Sequence, residues 1–323
     1  MKSSYRAPWW LPGGNAQTLY AALIANAGPM PRFRRVRWET PDQDFIDIDW
    51  LNGDADAPLM VVFHGLEGNS SSHYSRALAH GFSRRGWRVA VAHFRGCSGE
   101  PNRLVRAYHS GDSAEIGWIL SRFKRESSQA VAAIGISLGG NALLKYLGEC
   151  GDAARAVLGA AVSVSAPLDL MVAGDALGRG FARVYSKVFL RTLKEKYESK
   201  ALRFPRAFDL ACMRRSGSLR EFDNAVTAPL HGFRDTDDYW TRASAKPSLR
   251  SIIVPTLLLN ARNDPFLPAH ALPGKDEVST FVECEFPETG GHVGFVGGFP
   301  GGFVWFVDRI IGFIERHVYS PGG

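Results

Sequence analysis

Six short apolar runs, each ending at small or polar residues, are the feature of this chain that most constrains its fold. Leu59–Phe63 stops at His64, and Val131–Ile136 stops at Ser137. Mostly apolar runs of this length are typical of strands that are buried on both faces of a sheet. The remaining runs are Trp87–His93, Ala156–Ser165, Ile252–Leu259 and Thr280–Phe286.

Helical patterns lie between the first four runs, as in Ser113–Lys124 and Leu138–Gly148. This alternation predicts an α/β fold in which a mostly parallel central sheet carries helices on both faces. Upstream, Val36–Thr40 and Phe45–Leu51 are also predicted to be strands. The second alternates apolar and acidic residues, which predicts a half-buried antiparallel strand. In such folds, ligands bind beyond the carboxyl ends of the parallel strands.

Residues 169–246 interrupt the alternation, because they contain no convincing buried strand. We expect one α/β domain over residues 1–323, with a helical cap inserted at about 169–246. The composition, 45% apolar and 22% charged, is typical of soluble globular proteins. No apolar run is long enough to cross a bilayer and the N-terminus lacks a signal-peptide pattern, so we expect a cytoplasmic protein.

The net charge is +6, but no signature of a nucleic-acid-binding fold accompanies it, so we expect no nucleic-acid partner. The four cysteines form no C-x-x-C pair, and no glycine-rich nucleotide-binding motif is present. We therefore expect neither a metal nor a cofactor. The oligomeric state is left open by the sequence.

Gly135 to Gly139 have the G-x-S-x-G form, which places a serine, here Ser137, on a sharp turn from a strand to a helix. The match alone is weak in a glycine-rich chain. Its context strengthens it, because the Val131–Ile136 run precedes the motif and the helical pattern Leu138–Gly148 follows it. We therefore predict that Ser137 is a catalytic nucleophile.

His292 lies in a glycine-rich loop after the last apolar run, from which it can reach the strand ends and act as a general base. Asp264 follows the Ile252–Leu259 run and is predicted to orient the imidazole. Asp169 and Asp237 are the alternatives for this acid. The chain order Ser, Asp, His is the one typical of this class of α/β fold.

A serine nucleophile also needs N–H donors for the oxyanion that develops on its substrate. The backbone amide of Leu138, which follows the serine, is one predicted donor. The other is the amide of Leu66, in the loop after Leu59–Phe63. We expect His64, which opens this loop, to order it rather than to act as the base.

The cap is strongly basic, with 12 Lys and Arg against three acidic residues from Arg179 to Arg220. An apolar stripe at helical spacing predicts an amphipathic helix there, formed by Phe181, Val184, Tyr185, Val188 and Phe189. We expect the stripe to pack over the active site, above an apolar acyl-binding pocket. Contact of the basic face with anionic membranes is the less favoured alternative.

Segments along nearly the whole chain carry a family resemblance. They are Pro8-Trp9-Trp10 with Gln17-Thr18, His64–Gly68, Arg95–Asn102, Tyr108–Gly111, Gly135–Asn141, Thr227–Phe233, Asn263–Phe266 and Gly290–Phe295. Together they resemble the YheT-like bacterial α/β hydrolases, which are related to membrane-anchored eukaryotic lipases of this fold. The resemblance implies a triad of Ser137, Asp264 and His292 in an esterase for short- or medium-chain acyl esters.

The residues and the resemblance together predict a serine hydrolase that cleaves small-molecule acyl esters through an acyl-enzyme on Ser137. Acyl transfer to an alcohol or amine is an alternative, because the same triad serves both reactions. A non-catalytic binding protein on this fold is a second alternative. A complete triad argues against it, since binding alone gives no reason to retain all three residues.

Overall fold

The computed structural model of the protein describes residues 3–51 and 53–319. Within them, eight strands form one sheet in the order β1-β2-β4-β3-β5-β6-β7-β8. The strands are β1 (Arg34–Glu39), β2 (Phe45–Leu51), β3 (Leu59–Phe63), β4 (Arg88–Ala92), β5 (Val131–Ile136), β6 (Ala160–Val164), β7 (Thr256–Leu259) and β8 (Val282–Glu285). β2 pairs antiparallel with β1 and β4, and every other neighbouring pair is parallel. The predicted mostly parallel sheet is confirmed.

Helices cover both faces of this sheet. Along β3, Leu59, Val61 and Phe63 pack in one core with the helices Ser113–Arg125 and Leu138–Val157, whereas Met60 and Val62 pack in a second core with the helices His73–Arg84 and Val304–Val318. The division follows from the strand, in which successive side chains point to opposite faces. The helices are α1 (Gly13–Leu23), α2 (His73–Arg84), α3 (Ser113–Arg125), α4 (Leu138–Val157), α5 (Leu170–Leu177), α6 (Arg183–Arg203), α7 (Leu210–Arg215), α8 (Leu219–Phe222), α9 (Ala228–Leu230), α10 (Thr236–Ala243) and α11 (Val304–Val318).

Strand β2 differs from the half-buried strand that its alternating pattern predicts, because its acidic side is buried too. Asp47 accepts two hydrogen bonds from Arg37 of the neighbouring strand β1, and Asp49 accepts two from Arg35. Such paired, charge-assisted hydrogen bonds compensate the carboxylates for the loss of water. The prediction of one solvated face is therefore wrong.

The largest differences from the predicted strand starts are at β6 and β7, each of which begins four residues after the start of its apolar run. The Ala156–Ser165 run opens inside the last turn of α4, and β6 begins only at Ala160. The Ile252–Leu259 run contains Pro255, which has no amide proton for a sheet ladder, and β7 begins at the next residue. The carboxyl ends of both strands nevertheless lie within one residue of the predicted positions, and the candidate active site lies at this edge of the sheet.

The chain between β6 and β7 consists of helices α5 to α10 and short turns, with no strand in residues 165–255, all of which the structure describes. A π-helical turn, Asp223–Thr227, interrupts it. We infer that residues 169–246 are the cap of the α/β domain, since their side chains form much of the wall of a cavity beside Ser137. In the described chain, no helix combines the length and the apolar character needed to span a bilayer.

The five residues of the apolar stripe, in α6 and the turn before it, do not all face the same way: two face the protein interior and three face solvent. Tyr185 is buried and Phe189 lines the cavity, and both rings contact Phe266. The other members of the stripe are exposed, and these are Phe181, Val184 and Val188. The expectation that the whole stripe packs over the site is wrong for these three, because packing on Phe266 turns only one edge of the stripe inward.

Candidate active site

Ser137 lies between β5 and α4 with φ 53° and ψ −118°, a backbone conformation that residues with a Cβ rarely adopt. Two glycines allow the turn to close. A Cβ on Gly135 would lie 2.5 Å from the carbonyl oxygen of Gly139, and a Cβ on Gly139 would lie 2.5 Å from that of Phe63. The strand, sharp turn and helix that the G-x-S-x-G motif predicts are therefore present, with the serine at the carboxyl edge of the sheet.

The side chains of His292 and Asp264 lie beside this serine. His292 Nε2 is 2.9 Å from Ser137 Oγ, and His292 Nδ1 is 2.9 Å from Asp264 Oδ2. When Nδ1 carries the proton, the imidazole donates to Asp264 and Nε2 is left to accept the serine proton. Phe266 stacks on the imidazole with ring centroids 3.9 Å apart. The structure thus brings the three predicted triad residues into one chain of hydrogen bonds.

The two alternative acids lie elsewhere. Asp169 accepts a hydrogen bond from the amide of Val172 and caps α5, and Asp237 pairs with Arg220 on the cap surface. Of the three acids considered, Asp264 alone contacts His292 in the described part of the chain.

The loop that carries His292 is held by helix α1, a contribution that the sequence reasoning missed. The amide of His292 donates to Thr18 Oγ1 at 2.8 Å. Gln17 Oε1 accepts from the amide of Gly290 at 2.8 Å and from Asn263 Nδ2 at 3.1 Å. No local spacing links Thr18 to a residue 274 positions later. Gln17-Thr18 is one of the segments that carry the family resemblance, and this is the one sequence feature that points to a role for these two residues.

The two predicted oxyanion donors both lie at the cavity. Leu66 and Leu138 line it together with Ser137. Within residues 3–51 and 53–319, neither of their backbone amides has a protein acceptor. Unpaired N–H groups beside a nucleophile are what an oxyanion hole requires.

His64 orders the loop that carries Leu66, as predicted. Its Nδ1 donates to the carbonyl oxygen of Gly65 at 2.7 Å, and its Nε2 accepts from the amide of Phe94 at 3.0 Å. Burial lowers the pKa of His64 to about 3, so the ring stays neutral and keeps both hydrogen bonds at physiological pH.

Glu67 fixes the same loop from the side of the cap. Its Oε1 accepts from the Tyr108 hydroxyl and from Lys196 Nζ, both at 2.6 Å, and its amide donates to the same hydroxyl at 3.0 Å. Lys196 belongs to α6, so this ion pair, which we call the Glu67–Lys196 clamp, joins the cap to the residue after Leu66. Both side chains are mostly buried, which limits screening by solvent.

The cavity between sheet and cap contains about 930 Å³ of empty space, its open mouth included. Its walls are largely apolar and aromatic, which is typical of sites for small organic ligands. The cap contributes most of them, including Leu170, Leu177, Phe189, Leu193, Tyr197 and Trp240. A hydrocarbon chain placed here would be removed from water beside Ser137.

Two carboxyl groups line this cavity, Glu67 of the clamp and Asp223. Asp223, in the π-helical turn, accepts hydrogen bonds from the Thr227 hydroxyl at 2.6 Å and from Trp240 Nε1 at 2.8 Å. Burial raises the pKa of Asp223 to about 6, because these two neutral donors only partly replace the lost hydration.

Replacing Asp223 with asparagine is expected to stabilise the protein relative to wild type at pH 8 but not at pH 4. Because the folded-state pKa of Asp223 is raised, its carboxyl ionises first in the unfolded chain, and native stability falls as pH rises from 4 past 6. The shift from 3.8 to about 6 corresponds to at most about 3 kcal/mol. Urea unfolding of both proteins at the two pH values measures this, and an identical pH dependence would contradict it.

Comparison with known proteins agrees with this geometry. Residues 58–299 match the family model described as the alpha/beta hydrolase fold. The chain is 42% identical over 268 residues to YheT of Escherichia coli (strain K12), whose name describes it provisionally as an esterase; the match covers 81% of this chain and 78% of YheT. It is 28% identical over 318 residues to the human phospholipase ABHD3, a match that covers 95% of this chain and 77% of ABHD3.

Among solved structures, the Pyrococcus furiosus esterase Pf2001 shares the fold. The two chains superpose with a TM-score of 0.57 at 16% sequence identity, over 89% of this chain and 91% of that one. Sequence similarity to the family model and to YheT thus agrees with the fold, namely the sheet order, the helices on both faces and the serine at the strand-to-helix turn. The chain therefore belongs to the α/β hydrolase fold family, among its YheT-like members of esterase and lipase type.

Proposed function

We propose that this protein is a serine hydrolase that cleaves carboxylic esters of short- to medium-chain acids through an acyl-enzyme on Ser137. The observation that carries the proposal is the unbroken chain of hydrogen bonds from Asp264 through His292 to Ser137 Oγ, at the edge of an apolar cavity. Relatives that are named as an esterase and a phospholipase support the same class of reaction.

The geometry supports the following sequence of steps. Ser137 Oγ attacks the ester carbonyl carbon while His292 Nε2 takes the hydroxyl proton, and the amides of Leu66 and Leu138 stabilise the oxyanion. The bond to the leaving oxygen then breaks as the imidazolium returns the proton to it, which releases the alcohol and leaves the acyl-enzyme. Water, deprotonated by His292, then attacks the acyl carbon; the bond from this carbon to Ser137 Oγ breaks as the imidazolium returns the proton to Oγ, which frees the acid and restores the serine. Asp264 holds the tautomer and stabilises the imidazolium throughout.

A panel of 4-nitrophenyl esters of rising acyl length tests the proposal on purified protein. We expect kcat/KM to rise from acetate to medium-chain acids, as each methylene is buried in the cavity, and to fall once the chain exceeds it. Absence of turnover for every ester would contradict the proposal. Adding an alcohol distinguishes acyl transfer, because transfer would consume the ester without releasing an equivalent amount of acid.

We expect kcat/KM to fall at acid pH, because a general base must be neutral to accept the serine proton. Asp223 also lines the cavity and titrates with a pKa of about 6, so the profile is measured on wild type and on Asp223→Asn. If the fall in kcat/KM at acid pH persists in the Asp223→Asn variant, it arises from the general base and not from Asp223. A profile without an acid limb, with the chemical step rate-limiting, would contradict the mechanism.

A further inference from the structure

The beginning of the cap presents apolar side chains to solvent. Phe181, Val184 and Val188 are 51%, 47% and 53% exposed. Their spacing of three and four residues places them on one side of the helical segment. We call these three residues the apolar row.

Four cationic side chains flank the apolar row, and none of them makes a close ion pair in the part of the chain that the structure describes. Arg183 and Lys187 are exposed, and neither lies within 4.0 Å of a carboxylate in the part of the chain that the structure describes. Arg179 and Arg191, at the two ends, make only long contacts of 3.8 and 4.0 Å with acidic side chains. The exposed surface of the first half of α6 is therefore both apolar and positively charged.

Ring contacts connect the apolar row to the catalytic base. Phe181 contacts Tyr185 with ring centroids 5.9 Å apart, Tyr185 contacts Phe266 at 4.9 Å, and Phe266 stacks on His292 at 3.9 Å. On the inner side of the same helix, Phe189 lines the cavity. A surface that covered the apolar row would thus lie against the wall of the substrate cavity.

We propose that the apolar row and its flanking cations dock on an anionic lipid surface and place the cavity beside ester substrates held in that surface. An amphipathic helix with Lys and Arg next to exposed apolar side chains is the arrangement that binds in the interfacial layer of a bilayer. Each Lys or Arg near an anionic surface increases partitioning about fivefold. The choice of lipid esters as substrates rests on the function proposed above, whereas the docking surface does not.

Vesicle co-sedimentation of the full chain at low salt tests the docking. We expect wild type to sediment with phosphatidylglycerol-containing vesicles, to sediment far less with pure phosphatidylcholine, and to lose binding as salt rises. Val188→Asp and Lys187→Glu are each expected to lower partitioning at least fivefold. The matched control is Leu202→Asp, which changes an 87% exposed apolar residue at the C-terminal end of the same helix, away from the apolar row, and is expected to bind as wild type does.

Hydrolysis of a soluble short-chain ester is measured in parallel, and all three variants are expected to retain wild-type kcat and KM. Wild-type protein that does not bind anionic vesicles, or an equal loss of binding in Leu202→Asp, would overturn the proposal. Self-association that Val188→Asp abolishes, without vesicle binding, would assign the row to a second copy of the chain and also overturn it. Vesicle binding without hydrolysis of any ester would reject the proposed function while the docking surface stands.

Discussion

Replacing Ser137 with alanine is expected to lower kcat for ester hydrolysis by at least about 10⁴-fold, because no other group would form the acyl-enzyme. Alanine has a Cβ as serine does, so the change adds no strain to the backbone conformation of φ 53° at this turn. The variant is also expected to lose labelling by a fluorophosphonate probe. Steady-state kinetics and gel detection of the labelled protein measure the two effects.

The fold of the Ser137→Ala variant is checked by circular dichroism and thermal unfolding, and we expect both to match wild type. Hydrolysis at a near wild-type rate in the folded variant would reject Ser137 as the nucleophile. Failure of folded wild-type protein to react with the probe would favour the alternative of a non-catalytic binding protein.

Replacing Asp264 with asparagine is expected to lower kcat by about 10⁴-fold, with KM little changed. Asp264 Oδ1 accepts from the amide of Phe266 at 2.8 Å, which holds the side-chain oxygen of an asparagine on that side. The asparagine NH₂ group then faces His292 Nδ1. The imidazole must carry its proton on Nε2 instead, where it can no longer accept the proton of Ser137.

Asp169→Asn and Asp237→Asn are the matched controls for this prediction. An asparagine at residue 169 still caps α5, and residue 237 lies on the cap surface, so we expect both variants to keep kcat within about twofold of wild type. A crippling effect of either change, together with an active Asp264→Asn variant, would show that the acid is assigned wrongly.

Local chain patterns were enough to predict the sheet and the positions of the site residues along it. Residues buried on both faces of a sheet leave an apolar run that ends where the strand ends, and the turn residues follow directly. Val131–Ile136 coincides with β5, and Ser137 occupies the strained turn after it. Ser137, Asp264 and His292 follow β5, β7 and β8, and the carboxyl ends of these parallel strands lie at one edge of the sheet.

Contacts between distant segments were not predictable in this way. Gln17 and Thr18 support the loop of His292 through hydrogen bonds across the whole domain, and no periodicity records such a contact. The acids of β2 were misjudged because their arginine partners lie on another strand. The stripe of α6 was predicted correctly as apolar, but its direction depends on where Phe266 lies, which helical spacing alone does not give.

The Glu67–Lys196 clamp limits how far the cap can be exchanged as an independent module. A cap grafted from another protein to widen the substrate range would have to supply an ammonium group where Lys196 lies, or leave Glu67 as a buried carboxylate without its counter-ion. The loop that carries the Leu66 amide would then lose one of its supports, so we expect substrate breadth and turnover to change together. Redesign of the pocket is better begun at cap residues that face the cavity without taking part in the clamp, such as Leu177 and Leu193.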